Sequence, residues 1–197
     1  MTLTESVQRY IENMVQDLKG DEDFPPFFII KDHQGTNRIL AVEMPEGADA
    51  KDKVANMLAA LCALHRVTEA ALGAVGWMVK VDKDDLGLVV GLPPSQDPRR
   101  VEVVMLTIAS VEDDSLMYTA DLIRENNLVG VGLWEPSPAA ADCQGRFVEA
   151  IELGISFGQM LPSEMTEFFD EELGHGREQE LIAMMTRAVE QSAVFGK

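Results

Sequence analysis

Between Val101 and Trp134, three β-rich runs follow one another with almost nothing between them: Val101 to Val111, Leu116 to Ile123 and Leu128 to Trp134. Asp113-Asp114 and Asn126-Asn127 mark the junctions. Asn and Asp tolerate the positive φ of tight hairpin turns, and connections this short join only antiparallel neighbours. The pattern predicts a three-stranded antiparallel meander. In the first run both alternating sets are apolar through the middle, Val103 and Met105 on one side and Val104, Leu106 and Ile108 on the other, which makes it a central strand. The second sets Leu116, Tyr118, Ala120 and Leu122 against Thr119 and Asp121, so one of its faces is wetter.

The rest of the chain is read around that meander. Thr2 stands three residues before Glu5, the spacing of a capping box, and Val7, Tyr10, Ile11, Met14 and Leu18 form one helical stripe that Gly20 ends. Phe27 to Ile30 and Ile39 to Val42 flank His33-Gln34-Gly35-Thr36 as a β-hairpin. Asp49 can cap a helix running to about His65, with Val54, Met57, Leu58, Leu61 and Leu64 apolar and Ala55, Ala59, Ala60 and Ala63 filling the other faces. A helix so apolar is expected to lie buried against the sheet. Leu72 to Val81 reads as a strand, paired with Leu86 to Val90 across Asp82 to Asp85. Beyond Pro136 and Pro138, Phe147, Val148, Ile151 and Ile155 mark a helix expected to break near Gly154, Gly158 and Pro162. Ser163 then caps a short acidic helix, Gly174-His175-Gly176 makes a hinge, and Arg177 to Phe195 is a last amphipathic helix.

The predicted fold is α+β: a mainly antiparallel sheet, N-terminal hairpin plus C-terminal meander, packed by a long central helix and followed by a C-terminal helical arm. Residues 1–162 form the core domain. Residues 163–197 are the arm, either part of that domain or an oligomerisation element.

Composition limits the function classes. The chain has 46% hydrophobic residues and no uninterrupted apolar run of about 18, which fits a packed core and not a membrane span. Its formal charge of −18 is spread along the sequence without an acidic tail. Such a field repels nucleic acid and acidic membranes alike, so the expected partners are the chain itself or a protein with a neutral or basic surface. The polar N-terminal residues lack the apolar core of a secretory signal. Cys62 and Cys143 have no metal-type spacing, so a cytoplasmic protein with free thiols is expected.

Catalytic and metal-binding motifs are faint. His65 and Glu69 have the i, i+4 spacing of two ligands on one helical face, but Val67 and Thr68 end the helix between them. His33 reads as a turn residue and His175 as a hinge residue. Asp82, Asp84 and Asp85 resemble the start of a calcium loop, yet its later ligand positions fall on Leu86 and Pro93. The close glycines Gly73/Gly76 and Gly130/Gly132 lack the rest of a nucleotide fingerprint. Gly154-Ile155-Ser156-Phe157-Gly158 spells Gly-x-Ser-x-Gly but lies in the helical stripe of Phe147 to Ile155 and not on a strand-to-helix elbow, and no catalytic residue, cofactor or metal is assigned. Arg99-Arg100, rare cations in a chain with 16 basic residues, can hold an anion or pair with Asp97 or Glu102. Trp77 and Trp134 can line a ligand cleft or pack on the sheet.

Three functions follow as expectations. The first is a non-catalytic interaction or assembly protein that forms a homodimer through the arm, using Met165, Phe168, Phe169, Leu181, Ile182, Met185 and Val189. The second is a small-molecule enzyme or sensor, with a pocket between the long helix and the sheet and an anion held by Arg99 or Arg100. The third is an acidic inhibitor that mimics nucleic acid.

Overall fold

The structure is a computed structural model and describes residues 2–20, 22–79, 96–136 and 146–195. Thr2 opens α1 (Leu3–Asp17) with the capping box its spacing predicts: Glu5 N donates to Thr2 Oγ1 at 3.2 Å and Thr2 N to Glu5 Oε2 at 2.9 Å. The hairpin β1 (Phe27–Asp32) and β2 (Asn37–Ala41) follows, then α2 (Ala48–Leu64). Gly47, with φ +89°, is the N-cap of α2 and makes no side-chain cap. Asp49 therefore sits inside the first turn and is not the cap. The long strand β3 (Val67–Met78) starts directly after α2, five residues earlier than the apolar run at Leu72 predicts. The strand expected at Leu86 to Val90 and its turn lie outside the described residues.

The meander is present as β4 (Val101–Ser110), β5 (Leu116–Glu125) and β6 (Leu128–Val131). Asn126 and Asn127 have φ of +51° and +65°, the pair of positive values that a two-residue type I′ turn demands. β6 ends at Val131, short of Trp134, and the two-residue β7 (Glu135–Pro136) returns to pair with β5. The described strands join one antiparallel sheet in the order β2-β1-β3-β4-β5-β6, with β7 beside β5. Hairpin and meander are thus halves of one surface, joined by β3 between β1 and β4.

Period-two alternation gives the sheet two apolar faces. One carries Phe27, Ile29, Ala71, Val104, Leu106 and Leu122, and α1 covers it with Val7, Ile11 and Val15. The other carries Phe28, Ile30, Ala70 and Leu72. Leu58 and Leu61 of α2 and Ile151 and Ile155 of α3 (Arg146–Met160) cover that second face, as expected for so apolar a central helix. The glycines of α3 do not break it. A methyl on Gly154 would collide with the backbone of Ala59, and one on Gly158 would lie 3.0 Å from the Ala63 carbonyl oxygen, so both let α3 lie close against α2.

A third layer lies beyond α2. α4 (Ser163–Gly174) begins with Pro162 in the cap position and Ser163 already helical, and α5 (Glu178–Phe195) turns back after Gly176, where φ is +75°. Phe169, Leu181 and Met185 bury themselves against Ala60, Ala63 and Leu64 of α2. A helix apolar all round needs cover on both sides, and the alanines of α2 leave room for α5 where larger side chains would hold it away.

Candidate functional site

β3, β4 and β5 are registered so that Leu72, Thr107 and Met117 lie in one cross-strand row and Ala74, Met105 and Thr119 in the next, on the α2/α3 face. Helices α2 and α3 fill the β1–β3 end of this face with Leu58, Leu61, Ile151 and Ile155. Over the two rows they contribute only their first turns, through Lys51 and through Arg146, Phe147 and Val148. Met44, just before α2, closes another side. The result is a pocket of about 540 Å³ with an apolar floor of small or flexible side chains. This size lies in the range of small-molecule sites, roughly 300–1,000 Å³.

Two cations stand on the rim. Arg146 is tied down through one nitrogen: its Nη1 donates to the Ala48 carbonyl at 2.6 Å and meets Asp52 Oδ1 at 2.8 Å, which pins the start of α3 to the start of α2. Lys51, exposed on the first turn of α2, has no ion-pair partner among the described residues. The described lining contains no His, Cys, Asp or Glu, and Thr107 is its one hydroxyl. What the described lining offers is an apolar shape with positive charge at its rim.

Arg99 and Arg100 are placed elsewhere. Arg99 forms a bidentate pair with Asp97, Nε to Oδ1 at 3.1 Å and Nη2 to Oδ2 at 2.9 Å, while the Arg99 backbone N–H also donates to Oδ1 at 2.8 Å. Those hydrogen bonds hold the Asp97 carboxyl down at about 2. The Arg100 guanidinium lies 4.7 Å from the centroid of the Trp77 ring, a cation–π contact. Neither arginine is among the described residues that line this pocket. Trp134 donates from Nε1 to Glu12 Oε1 at 3.3 Å and packs against the α1 side of the core.

The histidines also separate. His65 ends α2 as its C-cap and its Nε2 lies 2.9 Å from Glu178 Oε1. Glu69, in β3, pairs with Lys31 at 2.6 Å, so strand geometry has taken apart the helical pair that the spacing offered. Among the described residues no group of three or more His, Cys, Asp or Glu is placed to hold a metal. Cys62 is fully buried, and burial pushes its thiol far above its ordinary value; Cys143 lies outside the described residues. The arm residues divide as well. Phe169, Leu181, Met185 and Val189 are buried in their own chain, and Ile182 packs beside them. Met165 and Phe168 stay exposed.

Sequence reasoning missed Lys51, Met105, Met117 and Arg146. Each looked ordinary alone: a lysine in a helix, two methionines in strands, an arginine after an Ala-rich stretch. Only the register of β3 to β5 and the meeting of two helix starts bring them together.

The fold and pocket define a class: an antiparallel α+β domain with a rim-charged apolar cavity between sheet and helices. Comparison with known proteins finds no family model, no curated relative and no solved structure that matches the chain. No described helix is long and apolar enough to cross a membrane.

Proposed function

We propose that the protein binds an apolar small molecule, as a sensor or carrier and not as a catalyst, in the pocket between β3–β5 and the first turns of α2 and α3. The observation that carries this reading is the pocket itself: about 540 Å³, floored by Leu72, Ala74, Met105 and Met117. Methionines line it because their flexible thioethers adapt to ligand shape. The described lining supplies an apolar floor and two cations, Lys51 and Arg146, a set that suits holding a ligand. The test is fluorescence of the neutral probe N-phenyl-1-naphthylamine, expected to rise on addition of the protein and to fall back with Ala74→Leu, which fills the floor. No enhancement, or the same enhancement in the filled variant, defeats the reading.

A second reading keeps a protein partner. The α3–α4 corner exposes Met160 (70%), Met165 and Phe168 (45%) beside Glu164, Glu167 and Glu171. This acid-rimmed apolar patch suits a neutral or basic surface or, less favourably for so acidic a chain, a second copy. Sedimentation at micromolar concentration tests the homodimer: a monomer defeats it, and a dimer that Phe168→Glu dissolves supports it.

A further inference from the structure

Building on the pocket reading, we infer that the ligand carries one anionic head group, seated between Lys51 and Arg146, with its apolar body lying over Leu72, Met105 and Met117. The chain has 34 acidic and 16 basic residues, so a basic side chain normally finds an acid nearby. Lys51 stands on the pocket rim without one among the described residues, although Asp49 and Asp52 share its helical turn. Asp52 points instead to Arg146, and neither acid is among the described lining residues.

Arg146 is held through Nη1 alone. Its Nε and Nη2 edge has no partner among the described residues, and that edge of a guanidinium is the one that grips a carboxylate with two parallel hydrogen bonds. The Ala48 carbonyl and Asp52 fix the fork before any ligand arrives, so little side-chain freedom is lost on binding. The helix starts add to the field. The first turns of both α2 and α3 face the pocket, each bringing the partial positive charge of a helix N-terminus, and the Gly47 cap of α2 places no carboxylate or hydroxyl over it. Apolar floor, exposed ammonium, fixed guanidinium and helix N-termini select one chemistry: a hydrophobic tail or ring system ending in a carboxylate or similar anion. A cationic head is rejected by the same groups.

The experiment compares three probes of equal chain length below their micellar concentrations: decanoate, 1-decanol and decyltrimethylammonium. Each displaces N-phenyl-1-naphthylamine from the full chain, from Lys51→Glu and from the pocket-filled Met105→Trp. Decanoate should bind about fivefold more tightly than decanol, the upper end for one partly exposed charge contact, with decyltrimethylammonium weakest. Lys51→Glu should cost decanoate about tenfold while leaving decanol within about twofold, because the residue is exposed and touches only the head. Met105→Trp should abolish the binding of all three, which separates pocket binding from attraction of the cationic probe to the acidic surface. Equal affinity for decanoate and decanol, or decanoate binding unchanged in Lys51→Glu, overturns the anionic head group and leaves the pocket reading standing. If none of the three binds, the pocket reading fails and the head group fails with it.

Discussion

On the α1 side of the sheet the ring of Phe27 lies directly over Gly73, while the next residue along the same strand, Ala74, faces the opposite way and opens into the pocket. The two faces have the same backbone, the same register and nearly the same hydrophobicity, yet one is filled and the other is not. On the filled face the space above a glycine is taken by an aromatic ring boxed in by Tyr10 at 5.2 Å and Phe24 at 6.0 Å, with α1 laid across the top. On the open face the cross-strand rows have no ring: Leu72, Thr107 and Met117, then Ala74, Met105 and Thr119. There the covering helices contribute only their first turns. Cavities in this fold depend on where large rings fall against small residues, and hydrophobicity alone does not reveal them.

The largest expected difference lies between two neighbours in β4. Leu106 faces α1 and is fully buried in that core, so Leu106→Ala should cost about 2–5 kcal/mol. Met105, one residue before it, lines the pocket and is only partly buried. Its truncation enlarges a space that is already open, so Met105→Ala should cost about 1 kcal/mol or less. Urea unfolding of both variants makes the measurement. Equal losses would mean that the pocket face is packed as tightly as its opposite and would end the comparison.

The same contrast runs through Gly73 and Ala74 with additions in place of deletions. A methyl on Gly73 would collide with the tip of the Phe27 ring, which is buried and cannot swing away, so Gly73→Ala should cost about 1–3 kcal/mol. Ala74→Leu adds more atoms but places them in the cavity, and its stability should stay within about 1 kcal/mol of the parent. Thermal melts decide: if Ala74→Leu is the more damaging of the two, the pocket is too small to hold a ligand.

These pairs also show how far the amino-acid pattern reached. The meander was legible because turn residues and alternation act locally: Asn126 and Asn127 adopt the positive φ that their type permits, and Val103 to Ile108 is apolar on both sides because its strand is central. The burial of Leu58 and Leu61 was legible for a similar reason, too few polar residues on one helix. The path of the arm was not. Phe168 and Phe169 are adjacent and chemically identical, yet one is 45% exposed and the other 1%. Only the docking of α5 on the alanines of α2 separates them, and that is a tertiary choice. The glycines of α3 misled for the opposite reason, since a residue that weakens an isolated helix is the one that close packing against Ala59 requires. The pocket lay furthest from view, because its residues come from β3, β4, β5 and two helix starts far apart in the chain.

The smallest expected effect sharpens the comparison from the turn just before the central strand β4. Asp97 accepts three hydrogen bonds from Arg99, two from the guanidinium and one from the backbone, and these favour its charged form in the folded protein. Its carboxyl is lowered from 3.8 to about 2. A group whose folded value lies below its unfolded value stabilises the protein above the unfolded value, and that contribution disappears as pH falls toward the folded one. Asp97 therefore supports the fold at neutral pH, and its support drains away between about pH 4 and pH 2. Asp97→Asn removes the titration. The variant should be slightly less stable than the parent at pH 7 and should lose less stability on acidification, so that the two urea midpoints converge near pH 2. The pocket lies away from this turn, so probe binding at pH 7 should be unchanged in Asp97→Asn. Carboxyl carbon shifts of Asp97 followed by NMR give the direct check: a midpoint near 4, or midpoints that stay parallel in urea, would show that the Asp97–Arg99 pair is not held in solution. A loss of probe binding in the variant would show that the start of β4 and the pocket are mechanically one, against the separation drawn between the packed face, the open face and the strand end.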